Sequence, residues 1–301
     1  MMFDTISVGS ATLDVFLKSE QFQLIDTHEK SFLAVEYGSK VDVDDFTMQS
    51  GGGATNTAVG FARVGLRSAV VAEIGTDLAA QAILHELQKE LVDTSFLIQE
   101  KSEQTAVSAL LINKQGGRSA VTARGAAKML TLGDIPFERL QANWMHLSSI
   151  GNVDVVRALA QHCKKHRIRF SWNPGGAELS WMEKGELHLN EVYPTVFIVN
   201  EEESQRLVDA GYDLTTAGEV VIITNGRVGG KWYERGKWSS YEPLVTKAVQ
   251  ETGAGDAFAT GVVVAYLHDR RTSEAIEWGK KSAASVVQHM GAKTGLLRSF
   301  A

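Results

Sequence analysis

The sequence contains a single cysteine, Cys163, so the chain cannot form an internal disulfide bond. We therefore expect a reducing compartment. A buried or half-buried thiol is the ordinary role of a lone cysteine, and a nucleophilic role is the less common alternative. The eight histidines lack the spacing of zinc ligands, which argues against a zinc site.

Long apolar runs are also missing. The longest runs fall well short of the roughly 18 residues that a membrane-spanning helix needs, and no stretch near the N terminus has the pattern of a secretory signal. The net charge is −6 and no basic stripe stands out, so nucleic acid is not an expected partner. We expect a cytoplasmic protein that does not associate with membranes.

Prolines are scarce, because only four occur in 301 residues. No proline-rich linker or low-complexity tract divides the chain. Hydrophobic residues make up 44% of the sequence, which is enough to fill a large core. We therefore predict one α/β domain over residues 1–301, with a smaller structure attached to it.

Short β-branched runs alternate with helical patterns along most of the chain. The predicted strands cover residues 3–8, 68–74, 144–148, 168–172, 195–199 and 220–224. The predicted helices cover residues 54–65, 77–91, 153–166, 201–210, 256–268 and 273–290. This repetition predicts a doubly wound, mostly parallel sheet with helices on both faces. Ligands of such sheets bind beyond the carboxyl ends of the strands.

Two regions, at about residues 12–48 and 104–123, lack a convincing crossover helix. The second region reads as a hairpin, with strands at residues 106–112 and 118–122 around Gln115-Gly116-Gly117. We predict that both regions form one small β-structure over the open end of the sheet, which makes it a lid by position. Surface decoration is the alternative interpretation.

The segment Gly253-Ala254-Gly255-Asp256 precedes an apolar helical run. Glycine-rich backbone can turn successive N–H groups into one concavity, and the positive end of the following helix adds to it. Such a site suits an anion whose charge grows during a reaction, and Asp256 could accept a proton beside it. The simpler interpretation is that Asp256 caps the helix.

This segment resembles the second signature of the PfkB, or ribokinase-like, carbohydrate kinases. The first signature of that family is matched by Ser50-Gly51-Gly52-Gly53-Ala54-Thr55-Asn56 and the residues that follow to Leu66. Further elements match in family order, namely residues 72–77, 200–203 and 224–226. Order and spacing agree from about residue 5 to residue 295. The resemblance implies the ribokinase-like fold and an ATP-dependent kinase that phosphorylates a hydroxyl group of a sugar or sugar-like molecule.

The resemblance also assigns roles to residues of the reaction and acceptor sites. Asp256 becomes the general base, and the backbone of Gly253, Ala254 and Gly255 becomes an anion hole. Acceptor-binding roles fall on Asp14, Gly51, Gly52 and Asn56. Arg124 follows the predicted hairpin and could reach the acceptor or the γ-phosphate, although a solvated arginine is an equal alternative.

The nucleotide and metal roles implied by the resemblance lie later in the chain. Asn200 and Glu203 would order Mg²⁺, largely through water, or they could simply form an acidic first helical turn. Asn173 would lie near the nucleotide phosphates unless it only forms a turn. Thr224, Gly226 and Gly229 would line the ATP site, and residues 279–295 would flank the adenine.

The sequence departs from the family pattern at two places. Gly53 stands where several kinases of phosphorylated sugars carry lysine, which weakens the case for a sugar phosphate as the acceptor. Gln250-Glu251-Thr252 stands where many potassium-activated members carry Asp-Thr-Thr, which argues against activation by a monovalent cation. A P-loop kinase is excluded, because its glycine and lysine pattern is absent.

Three questions stay open at the level of sequence. The acceptor could be a nucleoside instead of a sugar, with the same chemistry at a ribose hydroxyl. A non-catalytic sugar or nucleotide sensor with the same fold is the alternative outside enzymes. The oligomeric state is also open, and a homodimer that pairs through the lid is an arrangement that the family shows.

Overall fold

The computed structural model describes residues 2–28, 30–99, 101–115 and 117–300. Gly116, at the tip of the predicted hairpin, lies outside these residues. In chain order the described strands are β1 (Phe3–Gly9), β2 (Thr12–Lys18), β3 (Gln23–Asp26), β4 (Ser31–Ala34), β5 (Asp45–Gly51), β6 (Ser68–Ile74), β7 (Asp93–Gln99), β8 (Ala106–Ile112), β9 (Arg118–Ala123), β10 (Ala142–Ser148), β11 (Arg169–Asn173), β12 (Val196–Asn200), β13 (Val220–Thr224), β14 (Gly230–Glu234) and β15 (Lys237–Tyr241). The described helices are α1 (Gly53–Arg63), α2 (Leu78–Lys89), α3 (Val153–His166), α4 (Gly176–Glu183), α5 (Leu189–Val192), α6 (Glu201–Asp209), α7 (Ala254–Leu267) and α8 (Thr272–Val286).

The main sheet has the strand order β15-β14-β13-β12-β11-β10-β1-β6-β7. All neighbours from β13 to β7 in this order pair in parallel, and β14 and β15 add an antiparallel hairpin at one edge. The strand order reverses beside β1, so the crossover helices cover both faces. The predicted doubly wound α/β fold is confirmed.

Burial follows from this layering. Every residue of β6 is buried, as expected for a central strand that is covered on both faces. On one face, α3 packs Leu159 against Trp172 and their neighbours. On the other face, α1 and α7 bring Phe61 and Phe258 against Trp144. Among the described residues, no helix combines the length and the apolar character that crossing a membrane requires.

A second, four-stranded sheet has the order β5-β2-β8-β9. We call it the small sheet. It draws β2 and part of β5 from the predicted region 12–48, and β8 and β9 from the predicted region 104–123. Strand β2 pairs in parallel with β8, whereas β5 and β9 pair antiparallel at the two edges. The two regions without crossover helices therefore form one structure, and β3 and β4 make a separate hairpin.

Asp77 fixes the small sheet to the main sheet. It caps α2 by accepting a hydrogen bond from the Ala80 N–H at 2.9 Å. The same carboxylate accepts from the N–H and the hydroxyl of Thr105, at 2.8 and 2.7 Å, just before β8 begins. One aspartate thus joins the end of β6, the start of α2 and the start of β8.

Several elements were not predicted, and they share a physical cause. Strand β7 begins with the polar run Asp93-Thr94-Ser95, and β14 and β15 carry lysine and glutamate with none of their residues fully buried. Strands at or near a sheet edge keep water on one side, so their sequences lack the continuous apolar run that marks a central strand.

Helix α2 offers a matched test of the packing. Leu87 is fully buried, whereas Leu78 on the same helix is 81% exposed. We expect Leu87→Ala to lower the free energy of unfolding by about 2–5 kcal/mol, because it leaves a cavity in the core. Leu78→Ala should change it by less than about 0.5 kcal/mol. Urea denaturation followed by circular dichroism measures both, and equal effects would contradict the packing.

Candidate active site

Helices α1 and α7 begin side by side beyond the carboxyl ends of the parallel strands. The Asn56 Nδ2 donates a 2.7 Å hydrogen bond to Oδ2 of Asp256, although the two residues are 200 positions apart in sequence. The first and second sequence signatures therefore meet at one point. This contact defines the centre of the candidate site.

Asp256 is the third residue of α7, and Gly253 occupies the N-cap position. Asp256 is thus not the helix cap, and its carboxylate turns to Asn56 instead. Burial raises the pKa of Asp256; the hydrogen bond from Asn56 and the charge of Lys293 lower it, and the charge of Asp14 raises it. A half-buried carboxylate with a raised pKa is suited to accept a proton.

Backbone geometry beside Asp256 depends on Gly253. Its φ is +78°, and a Cβ at this position would lie 2.5 Å from the Cβ of Ala292. Helix α7 then begins, and the N–H groups of Gly255 and Asp256 have no hydrogen-bond acceptor among the residues that the structure describes. Free donors at the positive end of a helix are suited to bind an anion.

Asp14, on β2, is buried, and its charge raises the pKa of Asp256. Its Oδ1 accepts a 2.9 Å hydrogen bond from the Thr12 hydroxyl, and burial raises its pKa. A Cβ on Gly51 would lie 1.9 Å from Oδ2 of Asp14. Gly52 has a φ of +91°, and its Cβ would lie 2.5 Å from the carbonyl oxygen of Ser10. The glycine pair is therefore required by close approach on two sides.

An open cavity of about 460 Å³ adjoins the start of α7. Six of the predicted site residues line it: Asn200, Thr224, Gly226, Gly229, Ala254 and Gly255. Residues of α8, Lys280, Ala283 and Ala284, form another wall within the predicted range 279–295. Most of the residues predicted for the nucleotide site therefore share one space with Ala254 and Gly255 of the predicted anion hole, whereas Gly253 does not line it.

Asn200 and Glu203 form a reciprocal cap at the start of α6. Each side chain accepts a 2.9 Å hydrogen bond from the backbone N–H of the other. Burial raises the pKa of Glu203, and the capping bond uses one of its two carboxylate oxygens. No group of three or more histidine, cysteine or acidic side chains is placed to hold a metal among the described residues. One carboxylate and one amide suit Mg²⁺ that keeps most of its water.

Two predicted site residues lie outside this arrangement. The Asn173 Nδ2 donates to the carbonyl oxygen of Ile198 at 2.9 Å, which ties β11 to β12, and Asn173 does not line the cavity. Arg124 is exposed, and its side chain takes part in none of the hydrogen bonds or ion pairs shown for the described residues. The structure therefore places neither residue against the Asn56–Asp256 contact.

A family model described as pfkB family carbohydrate kinase matches residues 2–298. The chain belongs to the pfkB family of carbohydrate kinases. The family recognition made from the sequence is confirmed, and so is its enzyme class, phosphotransfer to an alcohol group.

Individual members of the pfkB family show the extent of the similarity. Ribokinase of Haemophilus influenzae is 25% identical over an alignment that covers 86% of this chain and 88% of that protein. The fold matches Methanocaldococcus jannaschii nucleoside kinase with a TM-score of 0.79 at 21% identity, covering 98% of this chain and 95% of that one. It matches Arabidopsis thaliana ribokinase, solved with ribose and ATP, with a TM-score of 0.76 at 20% identity, covering 97% and 95%.

The structure adds charged residues to the site of this pfkB protein that the sequence did not single out. Arg118, at the start of β9, lines the cavity together with Arg227. Partial burial lowers the pKa of Arg118, whereas the charges of Glu251 and Asp14 raise it. Arg118 therefore lies between the acceptor side and the cavity. Arginines on exposed strands and loops carry no distinguishing pattern in sequence.

Lys293 is also new, and the structure gives contacts to Gln250, which the sequence marked only as a departure from the family pattern; both residues are buried. The Gln250 Nε2 lies 3.1–3.2 Å from the carbonyl oxygens of Thr252, His289 and Gly291. This amide joins the segment before α7 to the segment after α8. Lys293 lies in the latter segment and contacts the first signature. Lys293 stands outside any described helix or strand, so the sequence gives no signal that it is buried.

Gly51 offers a test of the acceptor side. In Gly51→Ala the added methyl group must displace the Asp14 carboxylate, and we expect kcat/KM for the acceptor to fall about 100-fold, the effect of an ångström-scale misplacement. Gly176→Ala is the matched control, because a Cβ there meets nothing within 4 Å. Steady-state kinetics by ADP release compares them. Wild-type kinetics for Gly51→Ala would show that Asp14 does not contact the acceptor.

Proposed function

We propose that this protein transfers the γ-phosphoryl group of ATP to a hydroxyl group of a sugar or sugar-like small molecule. The observation that carries the proposal is the 2.7 Å contact between Asn56 and Asp256. It places a carboxylate beside the free N–H groups at the start of α7. The acceptor side of the site lies on one side of this contact, and the nucleotide-sized cavity lies on the other.

The chemistry follows from the position of Asp256. The acceptor hydroxyl gives its proton to the Asp256 carboxylate while its oxygen forms a bond to the γ-phosphorus. The bond from that phosphorus to the β–γ bridging oxygen breaks, and ADP leaves with the electron pair. The N–H groups of Gly255 and Asp256 point at the oxygens on which negative charge accumulates. Asn56 holds the carboxylate in place.

The cavity is suited to ATP by its charge and its shape. Arg118, Arg227 and Lys280 provide positive charge for the phosphates, and Ala283, Ala284 and Val287 provide an apolar wall for a base. Asn200 and Glu203 would hold Mg²⁺ through water. When bound, Mg²⁺ neutralises charge on the phosphate oxygens.

The inner face of the small sheet supports a polyhydroxylated acceptor. Its register aligns Gln49, Asp14, Ser108 and Thr122 in one polar row across the four strands. Carboxylate, amide and hydroxyl groups in such a row bind vicinal hydroxyls.

Gly53 packs against Ser148, whose Oγ would lie 2.0 Å from an added Cβ. The absence of a cation at position 53 favours an acceptor without a phosphate.

A nucleoside is the second candidate acceptor, and one observation favours it. Phe16, Leu110 and Ile112 form an apolar cluster next to the polar row, with Met290 packed against it. An unbranched methionine is an adaptable cover. If Met290 moved aside, a nucleobase could occupy the space beside Phe16 while its ribose reached the polar row.

An ADP-release screen distinguishes these acceptors. It would cover ribose, fructose, glucose, 2-keto-3-deoxygluconate, adenosine, cytidine, inosine and fructose 6-phosphate, with K⁺ and with Na⁺. We propose that the rate does not depend on K⁺. The Gln250 amide donates hydrogen bonds to the carbonyl oxygens of Thr252, His289 and Gly291, so these oxygens do not need a cation as a partner. If no acceptor of the screen raises ADP release above the rate of ATP hydrolysis alone, the support for a sugar or nucleoside kinase is removed.

We also propose that the protein is located in the cytoplasm.

Replacing Asp256 tests the base. Asp256→Asn should bind ATP and fold as the wild type does, but kcat should fall by about 10²–10⁴-fold, the contribution of a general base. In the wild type the rate should fall at acidic pH, because a base with a raised pKa loses its charge at a higher pH than a free aspartate. Asp209→Asn on α6 is the control. Turnover by Asp256→Asn within threefold of wild type would refute the assignment.

The outer face of the small sheet supports a homodimer. Alternation along the strands places Val15, Leu17, Phe46, Met48, Ala109, Leu111 and Val121 together on it. Phe46, Met48 and Val121 are exposed, and an apolar patch of this kind is typical of an interface. We propose that two copies pair through this face.

Val121→Asp tests the pairing, because it puts a charge into the apolar patch. We expect it to convert a dimer to a monomer in analytical ultracentrifugation while the unfolding midpoint changes little. Val208→Asp on α6 is the control, since Val208 is 50% exposed and lies on another element. A wild-type protein that sediments as a monomer at micromolar concentration would contradict the proposal.

A further inference from the structure

Lys293 is the most unusual charged residue of the molecule. Its side chain is only 2% exposed, although lysine is among the residues least often buried. Its Nζ donates to the carbonyl oxygen of Ser50, to the Ser50 hydroxyl at 2.8 Å and to the Thr55 hydroxyl at 3.1 Å. All three ammonium protons thus reach the first signature, at the end of β5 and the start of α1.

The backbone of Lys293 is fixed as firmly as its side chain. Its N–H donates to Oε1 of Gln49 at 3.2 Å, and its carbonyl oxygen accepts from a guanidinium nitrogen of Arg63. Arg63 is itself held by Glu90 at 2.7 Å. Residues 50–53 are called the glycine loop. Hydrogen bonds at the backbone and at the Nζ of Lys293 together fix the ammonium group beside this loop.

The charge of Lys293 acts on the site. The charged groups that face it are Glu86 from α2, Asp14 from β2, Asp256 from α7 and Arg63 from α1. The ion pairs within 4 Å among the described residues do not include Lys293. No carboxylate therefore neutralises the positive charge of Lys293 by direct contact. The charge lowers the pKa of Asp14 and the pKa of Asp256.

A purely structural role explains these observations poorly. Burial of an ammonium group without a direct counter-ion is costly, and an apolar residue of the same length would fill the space at lower cost. The three hydrogen bonds satisfy the donors but do not remove this cost. A role of the Lys293 charge in the candidate site explains why a charged residue occupies this buried position.

We propose that Lys293 is a positioning residue whose positive charge holds the glycine loop in place and acts on Asp14 and Asp256 across it. The inference rests on the proposed function only for the role of Asp256 as the base. The hydrogen bonds of Lys293 to Ser50 and Thr55, and the effect of its charge on the two carboxylates, do not depend on that role.

This electrostatic link between Lys293 and the two carboxylates has consequences for pH. Burial lowers the pKa of Lys293 to about 8, so the ammonium group loses its proton above that pH. A neutral amine has only two protons for its three acceptors in Ser50 and Thr55 and no positive charge to hold the glycine loop, so the rate of the wild type should fall on the alkaline side near pH 8. Because the positive charge of Lys293 lowers the pKa of Asp256, removal of the lysine should move the acidic limb toward higher pH.

The kinetic test compares Lys293→Met, Lys293→Arg and Ser50→Ala between about pH 5 and pH 10, with ATP and the fastest acceptor of the screen. Lys293→Met should lose the alkaline limb, and its kcat near pH 6 should fall about tenfold for each unit by which the acidic limb moves. Lys293→Arg should keep the acidic limb and lose the alkaline limb near pH 8. Ser50→Ala removes one acceptor but no charge, and should keep both limbs.

Two results with the Lys293 variants would each overturn the proposal. One is a Lys293→Met profile with both limbs of the wild type. The other is an alkaline limb that stays near pH 8 in Lys293→Arg, which remains informative if Lys293→Met does not fold. An acidic limb in Ser50→Ala that moves as far as in Lys293→Met would assign the effect to hydrogen bonding and also reject the role of the charge.

A second measurement needs no turnover. Carboxyl ¹³C shifts of labelled aspartates, assigned by loss of signal in Asp14→Asn and Asp256→Asn, report the titration of each carboxylate. Both should titrate at higher pH in Lys293→Met than in the wild type. Unchanged titration rejects the electrostatic link, whereas a clear shift in a protein without phosphotransfer would reject the proposed function and leave the link standing.

Discussion

The hydrogen bond between Asn56 and Asp256 is the contact on which the site depends. It joins a helix near the start of the chain to one near its end, and both helices begin after a glycine with positive φ. Because Gly52 and Gly253 turn the backbone sharply, the two helices start at the same place. The acceptor side and the anion site have a fixed relation only while this contact holds.

A small set of charges with little access to water surrounds that contact. Asp14 and Lys293 are buried and Asp256 is half-buried, and charges in such surroundings interact more strongly than on a surface. The glycines between them have a structural cause, since a side chain at position 51 would collide with Asp14. The glycine loop thus determines both the backbone conformation at the start of α1 and the position of the Asp14 carboxylate.

The sequence predicted the central strands and the two signature helices because burial on both faces leaves a continuous apolar run, as in β6. It also predicted Asp256 and Asn56 through their motifs. It did not predict Lys293, because a buried lysine after a helix has neither periodicity nor a motif. Asn173 shows the opposite case, since its motif position suggested phosphate while its amide binds Ile198. Side-chain direction decides such cases, and only the fold supplies it.

The parallel pairing of β2 with β8 has a consequence for how the molecule is made. The two strands are joined by hydrogen bonds, yet α1, β6, α2 and β7 lie between them in the chain. Synthesis proceeds from the N terminus, so roughly a third of the polypeptide must be made after β2 before β8 exists, although β5 is available on the other side earlier. During that interval the edge of β2 that later pairs with β8 has no partner strand. The nascent chain therefore exposes the unpaired N–H and C=O groups of this strand edge from early in synthesis. Pairing with β8 covers them and so removes a site of aggregation.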